Sequence, residues 1–298
     1  MLKPIYWKLA PKLKRFLVKK LKQFSMLGKI NFVVTLSINS TPFRIPMSNG
    51  IGYENVFMTE MWMVEVLKRV STLNSGSFLD IGANIGQSLL KLRAVSKTTP
   101  WLGLEPNPAC SAYLSNLIRI NNFEKSLLIP IGLYNSCDLL QLDFFAEGNA
   151  VDSGASLVKN PAFRPSRPVI FSQTVPVFTY SDIQKFSPEA PGIIKIDVEG
   201  GEYEVLESLV DLLQSEHPII LIEILPMSSE EDTFAKNIRL ETYFNDMNYL
   251  LYRIEKNQER FSHLVLLEAI GTNKEPTGWD YLAVPLVMQE TVEKNFPC

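Results

Sequence analysis

The sequence predicts an α/β fold: a mostly parallel sheet, covered by helices on both faces and ended by an antiparallel terminal hairpin. Three observations predict it. From Ser77 onward, short apolar runs alternate with segments of helical spacing, the pattern of strands joined by crossover helices. The last two apolar runs have no helical segment between them. Ahead of this region lie a basic amphipathic stretch and an alternating stretch, read as an N-terminal helix and a β-hairpin.

The elements follow in chain order. Residues 11–27 form the amphipathic helix, opened by Pro11 at its first position, with Leu13, Phe16, Leu17, Leu21, Phe24 and Leu27 on one broad face. Lys12, Lys14, Arg15, Lys19 and Lys22 fall on the other face, and Lys20 is the misfit. Residues 31–46 alternate around Asn39-Ser40, a hairpin signal, and 55–70 have helical spacing. Strands are placed at 77–81, 101–105, 127–131, 193–197, 218–224, 249–254, 263–269 and 281–286. Helices are placed near 85–96, 108–120, 181–186, 200–213 and 232–246. Residues 147–174, rich in Gly, Ser, Pro and Asn and without a clear period, read as a long loop, functional or mobile. The division expected is a basic head over 1–50 and a main domain over 51–298.

Composition narrows the function classes. With 298 residues, 46% apolar and 20% charged, the chain is neither disordered, collagenous nor a coiled coil. Its net charge of −3 hides a split: residues 1–53 hold ten of the 29 Lys/Arg and none of the 32 Asp/Glu, so a +10 head precedes a −13 body. A head of this kind suits an anionic surface. The three cysteines, Cys110, Cys137 and Cys298, have no metal or disulfide spacing, which favours a reducing compartment. No 18-residue apolar run and no signal-peptide core occur, so the expected location is cytoplasmic; the helix at 11–27 reads either as docked on the domain with a solvated basic face or as a peripheral contact with an anionic membrane.

Three strand ends carry chemistry. In Phe78-Leu79-Asp80-Ile81-Gly82-Ala83-Asn84-Ile85-Gly86-Gln87, an apolar strand turns through two glycines into a helix. Ligands of open α/β sheets bind beyond such strand ends, and glycines permit close backbone approach. Asp80, just before the first glycine, disfavours a pyrophosphate and suits a cationic ligand such as a sulfonium with an ammonium group. In Trp101-Leu102-Gly103-Leu104-Glu105-Pro106-Asn107-Pro108, Glu105 ends the next strand, where an acid accepts hydrogen bonds from ribose hydroxyls. In Lys195-Ile196-Asp197-Val198-Glu199-Gly200-Gly201-Glu202, carboxylates cluster at a third strand end. Glu202 matches a helix N-terminus, but Asp197 sits where a ligand would lie. Glu223 ends the following strand, so Asp197 and Glu223 are expected as neighbours. Such a pair can act as a base, bind a cation or hold a sugar.

Together, the turn Asp80–Gln87, the strand end Gly103–Pro108 and the stretch Ile194–Ser208 resemble the FkbM family of S-adenosylmethionine-dependent methyltransferases. Val175–Asp182 and Asp280–Pro285 add to the likeness, which spans roughly residues 50–286; Tyr180-Ser181 departs from the family's usual pattern and only Asp182 maps cleanly. The resemblance implies a Rossmann-like class I sheet of seven strands with a reversed final strand, and O-methylation of a hydroxyl on a sugar or other secondary metabolite. It further implies that Asp80, Gly82, Asn84 and Gly86 surround the methionine part and ribose, that Glu105 holds the ribose diol with Asn107 close by, and that Gly132 flanks the adenine. Asp197 and Glu199 then face the transferred methyl or the acceptor.

Methyl transfer to a hydroxyl needs alignment and removal of a proton. His217 precedes a strand and His263 starts the terminal hairpin, so a carboxylate is the expected base: Asp197 first, then Glu199 or Glu223. A divalent cation is compatible with these acids but not demanded. The loop 147–174, with Ser153, Gly154, Ser156 and Arg164, is the expected acceptor lid. The acceptor expected is a polysaccharide or glycolipid hydroxyl, with a polyketide-type acceptor or a non-catalytic membrane-docked scaffold as alternatives. A nucleic-acid substrate is not expected, because a −13 body repels phosphates.

Overall fold

The computed structural model describes residues 10–146, 151–157, 168–227, 229–272 and 278–297. The chain begins with α1 (Pro11–Gln23) and a two-stranded sheet of β1 (Phe32–Ile38) and β2 (Thr41–Met47). Asn39 and Ser40 both take positive φ, +46° and +65°, as a two-residue hairpin turn requires. The helix expected over 55–70 is divided into α2 (Tyr53–Val56) and α3 (Trp62–Val70), with Glu60 at φ +56° between them.

The main unit then runs β3 (Ser77–Ile81), α4 (Gln87–Val95), β4 (Trp101–Leu104), α5 (Pro108–Asn121) and β5 (Ser126–Ile129). It continues through β6 (Gly132–Leu133), β7 (Asp138–Phe144), β8 (Phe171–Phe178), α6 (Tyr180–Ile183) and β9 (Pro191–Ile196). It closes with α7 (Glu202–Ser208), α8 (Val210–Glu216), β10 (Ile219–Glu223), α9 (Glu230–Asp246), β11 (Tyr249–Asn257), β12 (Arg260–Leu266), β13 (Asp280–Pro285) and α10 (Gln289–Asn295).

The large sheet has the order β12-β11-β13-β10-β9-β3-β4-β5. Neighbours from β10 to β5 are parallel, whereas β13 is antiparallel to both β10 and β11, and β12 is antiparallel to β11. Six strands therefore share one direction, and β12 and β13 are reversed. The sheet is mostly parallel, as expected, but it has eight strands rather than seven. The terminal hairpin is also not made by the last two strands. Residues 258–259, both at positive φ, form a tight turn that pairs β11 with β12. The longer connection 267–279 carries the chain back, so that β13 inserts between β10 and β11.

A second, three-stranded sheet has the order β6-β8-β7. It corrects the reading of 147–174 as wholly a loop, because 171–174 belong to β8. Residues 171–174 are exposed and lack the apolar alternation that marks a strand, so the sequence concealed them. Residues 147–150 and 158–167, Arg164 among them, lie outside the described residues.

Burial on both faces of the large sheet explains its apolar runs. Phe78 packs with Trp62, Leu89 and Trp101 on one face, while its neighbours Leu79 and Ile81 pack with Val205, Leu206 and Phe244 on the other. Val18, Val34, Leu36, Phe43 and Ile45 of the N-terminal helix and hairpin share the first of these clusters. The chain reverses its winding between β3 and β9, and the carboxyl ends of these two strands meet there. Such a switch point opens a crevice for a ligand.

Candidate active site at the β3–β9 switch point

Residues from β3, β4, β6, β9, β10 and the segments after them wall one cavity of about 470 Å³. This lies within the range of about 300–1,000 Å³ usual for small-molecule sites. Gly82, Asn84, Glu105, Asn107, Gly132, Asp197, Glu199 and Glu223 all line it. Asp80 and Gly86 are not among its lining residues.

Asp80 is instead fully buried beneath the floor. Its Oδ2 accepts from Ser88 Oγ (2.5 Å) and Trp101 Nε1 (3.1 Å), and the Lys195 ammonium lies 3.5 Å from Oδ1. It supports the turn rather than facing a ligand. Packing alone already requires both glycines. A Cβ on Gly82 (φ +79°) would stand 1.9 Å from the Asp197 carbonyl oxygen. A Cβ on Gly86 (φ +83°) would stand 2.5 Å from Leu114 Cδ1 of α5.

Glu105 is buried at the end of β4, and its two oxygens accept from the backbone N–H groups of Asn84 (2.6 Å) and Asn107 (2.8 Å). Burial raises its carboxyl to about pH 7, although these two N–H donors and Lys195 pull the other way. Its contribution to stability is therefore full below the ordinary value of 4.5 and is lost as pH rises through about 7. Asn107 caps α5, its Oδ1 accepting from the N–H of Ala109 (2.9 Å). Asn84, at φ +46°, accepts from the Cys110 thiol (3.2 Å), and burial keeps that thiol protonated.

At the end of β9, Lys195 joins the two halves of the site. Its ammonium donates to the Gly82 carbonyl (3.0 Å) and lies 3.1 Å from Asp197 Oδ2. Burial opposes this charge, but Asp197 and Asp80 more than offset it and hold the ammonium above its ordinary range. Burial also opposes the Asp197 carboxylate; Lys195 and a hydrogen bond with Glu223 outweigh it and hold Asp197 below the usual range. Glu223 goes the other way, pushed well up by burial and by the charges of Asp197, Asp280 and Glu199. Asp197 and Glu223 thus form a coupled dyad, in which Lys195 favours the charged form of Asp197 and burial and the neighbouring charges favour the protonated form of Glu223. Asp280, opposite Glu223 in the β10–β13 register, is raised to about 6 by burial against the pull of Lys256.

Ligand atoms of Asp197, Glu199 and Glu223 lie within 4.8 Å of one another, a spacing a divalent cation can use. The Lys195 ammonium, 3.1 Å from Asp197, balances part of this charge. Neither histidine lines the cavity: His217 follows α8 in a left-handed turn, and His263, within β12, meets Ser262 at 3.0 Å.

Sequence reasoning missed several wall residues. Lys91 of α4 is buried and pairs with Glu60 at 2.8 Å. Asp152 accepts from the N–H groups of Phe145, Ala146 and Gly154 and shapes the described part of the expected lid. Val151, Asp152, Ser153, Ala155 and Leu157 line the cavity, and Ser156 Oγ donates to the Glu199 carbonyl (2.8 Å). This bond pins residues 151–157 to the end of β9. Ser156→Ala is expected to cost about 0.5–1.5 kcal/mol and to speed amide exchange across 151–157. Native-state hydrogen exchange checks it, and unchanged protection there would show that the bond does not hold the segment.

Comparison with known proteins gives three findings. A family model described as the Methyltransferase FkbM domain matches residues 80–254, more than half of the chain. No curated protein sequence matches. Solved structures give distant matches. The FkbM methyltransferase of Methylobacillus flagellatus shares 17% identity at a TM-score of 0.46; the match covers 70% of this chain and 43% of that one. M. jannaschii TYW2 in complex with AdoMet shares 13% identity at a TM-score of 0.39, covering 84% of each chain. SAH-bound Podospora anserina methyltransferase PaMTH1 shares 12% at 0.39, covering 76% of each.

Proposed function

This chain belongs to the FkbM methyltransferase family, and we propose that it is an S-adenosylmethionine-dependent O-methyltransferase acting on a hydroxyl of a sugar or glycan. The observation that carries this reading is the cavity at the switch point, with Glu105 at one wall and the Asp197–Glu223 dyad at another. A carboxylate-rich cavity suits a ligand bearing a sulfonium and an ammonium group, and its volume suits a nucleoside-sized molecule.

When bound, the cofactor supplies an electrophilic methyl group. The chain's residues do the rest. Glu105 would accept hydrogen bonds from the ribose hydroxyls, while the Asn84 and Asn107 N–H groups hold its carboxylate in place. Gly132 and Leu133 of β6 would flank the base. Glu54, Thr59, Glu60 and Ser153 line the same cavity and offer partners to a polyhydroxylated acceptor. The dyad would take the acceptor's proton, and the segment 151–157 narrows access for water.

Isothermal titration with S-adenosylmethionine tests the cofactor. Ribose donors favour an ionised Glu105, so affinity should rise with pH, by at most about tenfold per unit, until pH passes about 7. Glu105→Gln should bind more weakly and lose this slope. Absence of binding by the wild-type chain would overturn the reading. Transfer of labelled methyl groups into pools of nucleotide sugars and envelope glycans tests the acceptor. Label appearing only in a polyketide pool would refute the sugar assignment while leaving the methyltransferase reading intact.

A further inference from the structure

No helix among the described residues is long and apolar enough to cross a membrane, yet α1 shows an arrangement suited to lying on one. The helix docks on the body by the side bearing Lys14, Val18 and Leu21. Val18 is fully buried, and Lys14 Nζ donates to the Thr35 carbonyl (3.2 Å). At its flanks, Arg15 Nε donates to the Val56 carbonyl (3.1 Å), and the Lys22 ammonium stands 3.7 Å from the centre of the Tyr53 ring. The sequence placed Leu13, Phe16, Leu17, Leu21, Phe24 and Leu27 on one broad face; the structure divides them. Leu13, Phe16 and Phe24 point outward, exposed by 43%, 53% and 69%.

At 100° per residue these three share an arc of about 80° opposite Val18. Lys20 lies inside that arc, with Lys12 and Lys19 beside it, and the helix carries no acid. The sequence-level misfit, Lys20, is thus a cation set among outward-facing apolar side chains. Just beyond the helix, Met26 and Ile30 are exposed as well. Apolar side chains ringed by lysines are what an interfacial helix presents to anionic headgroups. The charge split orients the contact: an anionic surface attracts the +10 head and repels the −13 body.

We propose that α1 docks the protein on an anionic lipid surface, with Leu13, Phe16 and Phe24 entering the headgroup boundary and Lys12, Lys19 and Lys20 meeting the lipid phosphates. Tyr53 and Val56, two of the partners that hold the helix, belong to α2, whose Tyr53 also lines the cavity. The docked element is therefore braced against a wall of the active site.

Co-sedimentation of the full chain with phosphatidylcholine vesicles, with and without phosphatidylglycerol, tests the proposal. The wild type should pellet with the anionic vesicles only, and added salt should release it. Phe16→Asp/Phe24→Asp should weaken this binding by about tenfold or more. Lys12→Glu/Lys19→Glu should abolish the preference for phosphatidylglycerol. An unchanged thermal midpoint in both variants would show that they fold. Wild type that stays in the supernatant at low salt, or a Phe16→Asp/Phe24→Asp variant that binds like wild type, would overturn the proposal. Sedimentation velocity and a polynucleotide titration cover the other occupants. A wild-type dimer that Phe16→Asp/Phe24→Asp dissociates, or binding of polynucleotide in place of vesicles, would also overturn it.

Discussion

Asp197→Asn is expected to lower turnover by about 10²–10⁴-fold while leaving cofactor affinity within about threefold. Asn fills the same volume, and the backbone that holds position 197 is fixed on both sides. The Asp197 N–H donates to the Ile81 carbonyl (3.1 Å), and its own carbonyl lies against Gly82. The loss therefore reports chemistry rather than misfolding. A carboxylate held low by Lys195 is by itself a weak base for an alcohol. In the proposed mechanism the dyad would overcome this, because once both carboxyls are ionised, two adjacent like charges make the pair far more basic than either acid alone. Turnover should accordingly rise with pH through the dyad's upper ionisation. In Asp197→Asn, Glu223 loses one of the charges that raise it, so the remaining activity should titrate at lower pH. Glu223→Gln should lose a similar factor, and the double variant no more than the worse single one, as groups acting as a unit do. Labelled methyl transfer measured across pH checks all three. A fully active Asp197→Asn enzyme would remove the dyad from the mechanism.

The parts legible in the sequence are those where burial writes a pattern. The β3, β4, β9 and β10 runs are apolar because both faces of their sheet are covered, so their positions and their carboxyl-end acids could be read directly. Hence Glu105, Asp197 and Glu223 were legible and do line one cavity. Strand order was not legible beyond the crossovers, because nothing local to 280–285 says that it enters between β10 and β11. Asp80 illustrates a different limit. Its place at a strand end was plain, but side-chain direction depends on the pleat, and here it points into Ser88 and Trp101. Lys91 and Lys195 left a usable signal. A lysine inside an apolar run is rarely buried unless paired, so Lys195 between Ile194 and Ile196 already implied a nearby acid.

Lys195→Met should destabilise the fold by about 3–5 kcal/mol, the usual consequence of leaving a buried charge without its partner. The stranded group is Asp80, which has no exposure to water. Its Oδ2 keeps the Ser88 and Trp101 donors, but Oδ1, 3.5 Å from the ammonium, has no hydrogen-bond partner in reserve. The Gly82 carbonyl loses its donor as well, and the turn bearing Asn84 loses a tie to β9. Removing the second charge distinguishes this account from simple loss of packing. Lys195→Met/Asp80→Asn should recover a substantial part of the stability, since two neutral side chains no longer force an unpaired carboxylate into the core. The double variant should still be impaired in turnover, because Asp197 has lost the ammonium that holds its carboxyl low, and the dyad must titrate higher. Urea unfolding of the single and double variants gives the first result and the pH–rate profile the second. A Lys195→Met protein within about 1 kcal/mol of wild type would mean that water reaches Asp80 and that the lysine is not the buried brace between β3 and β9.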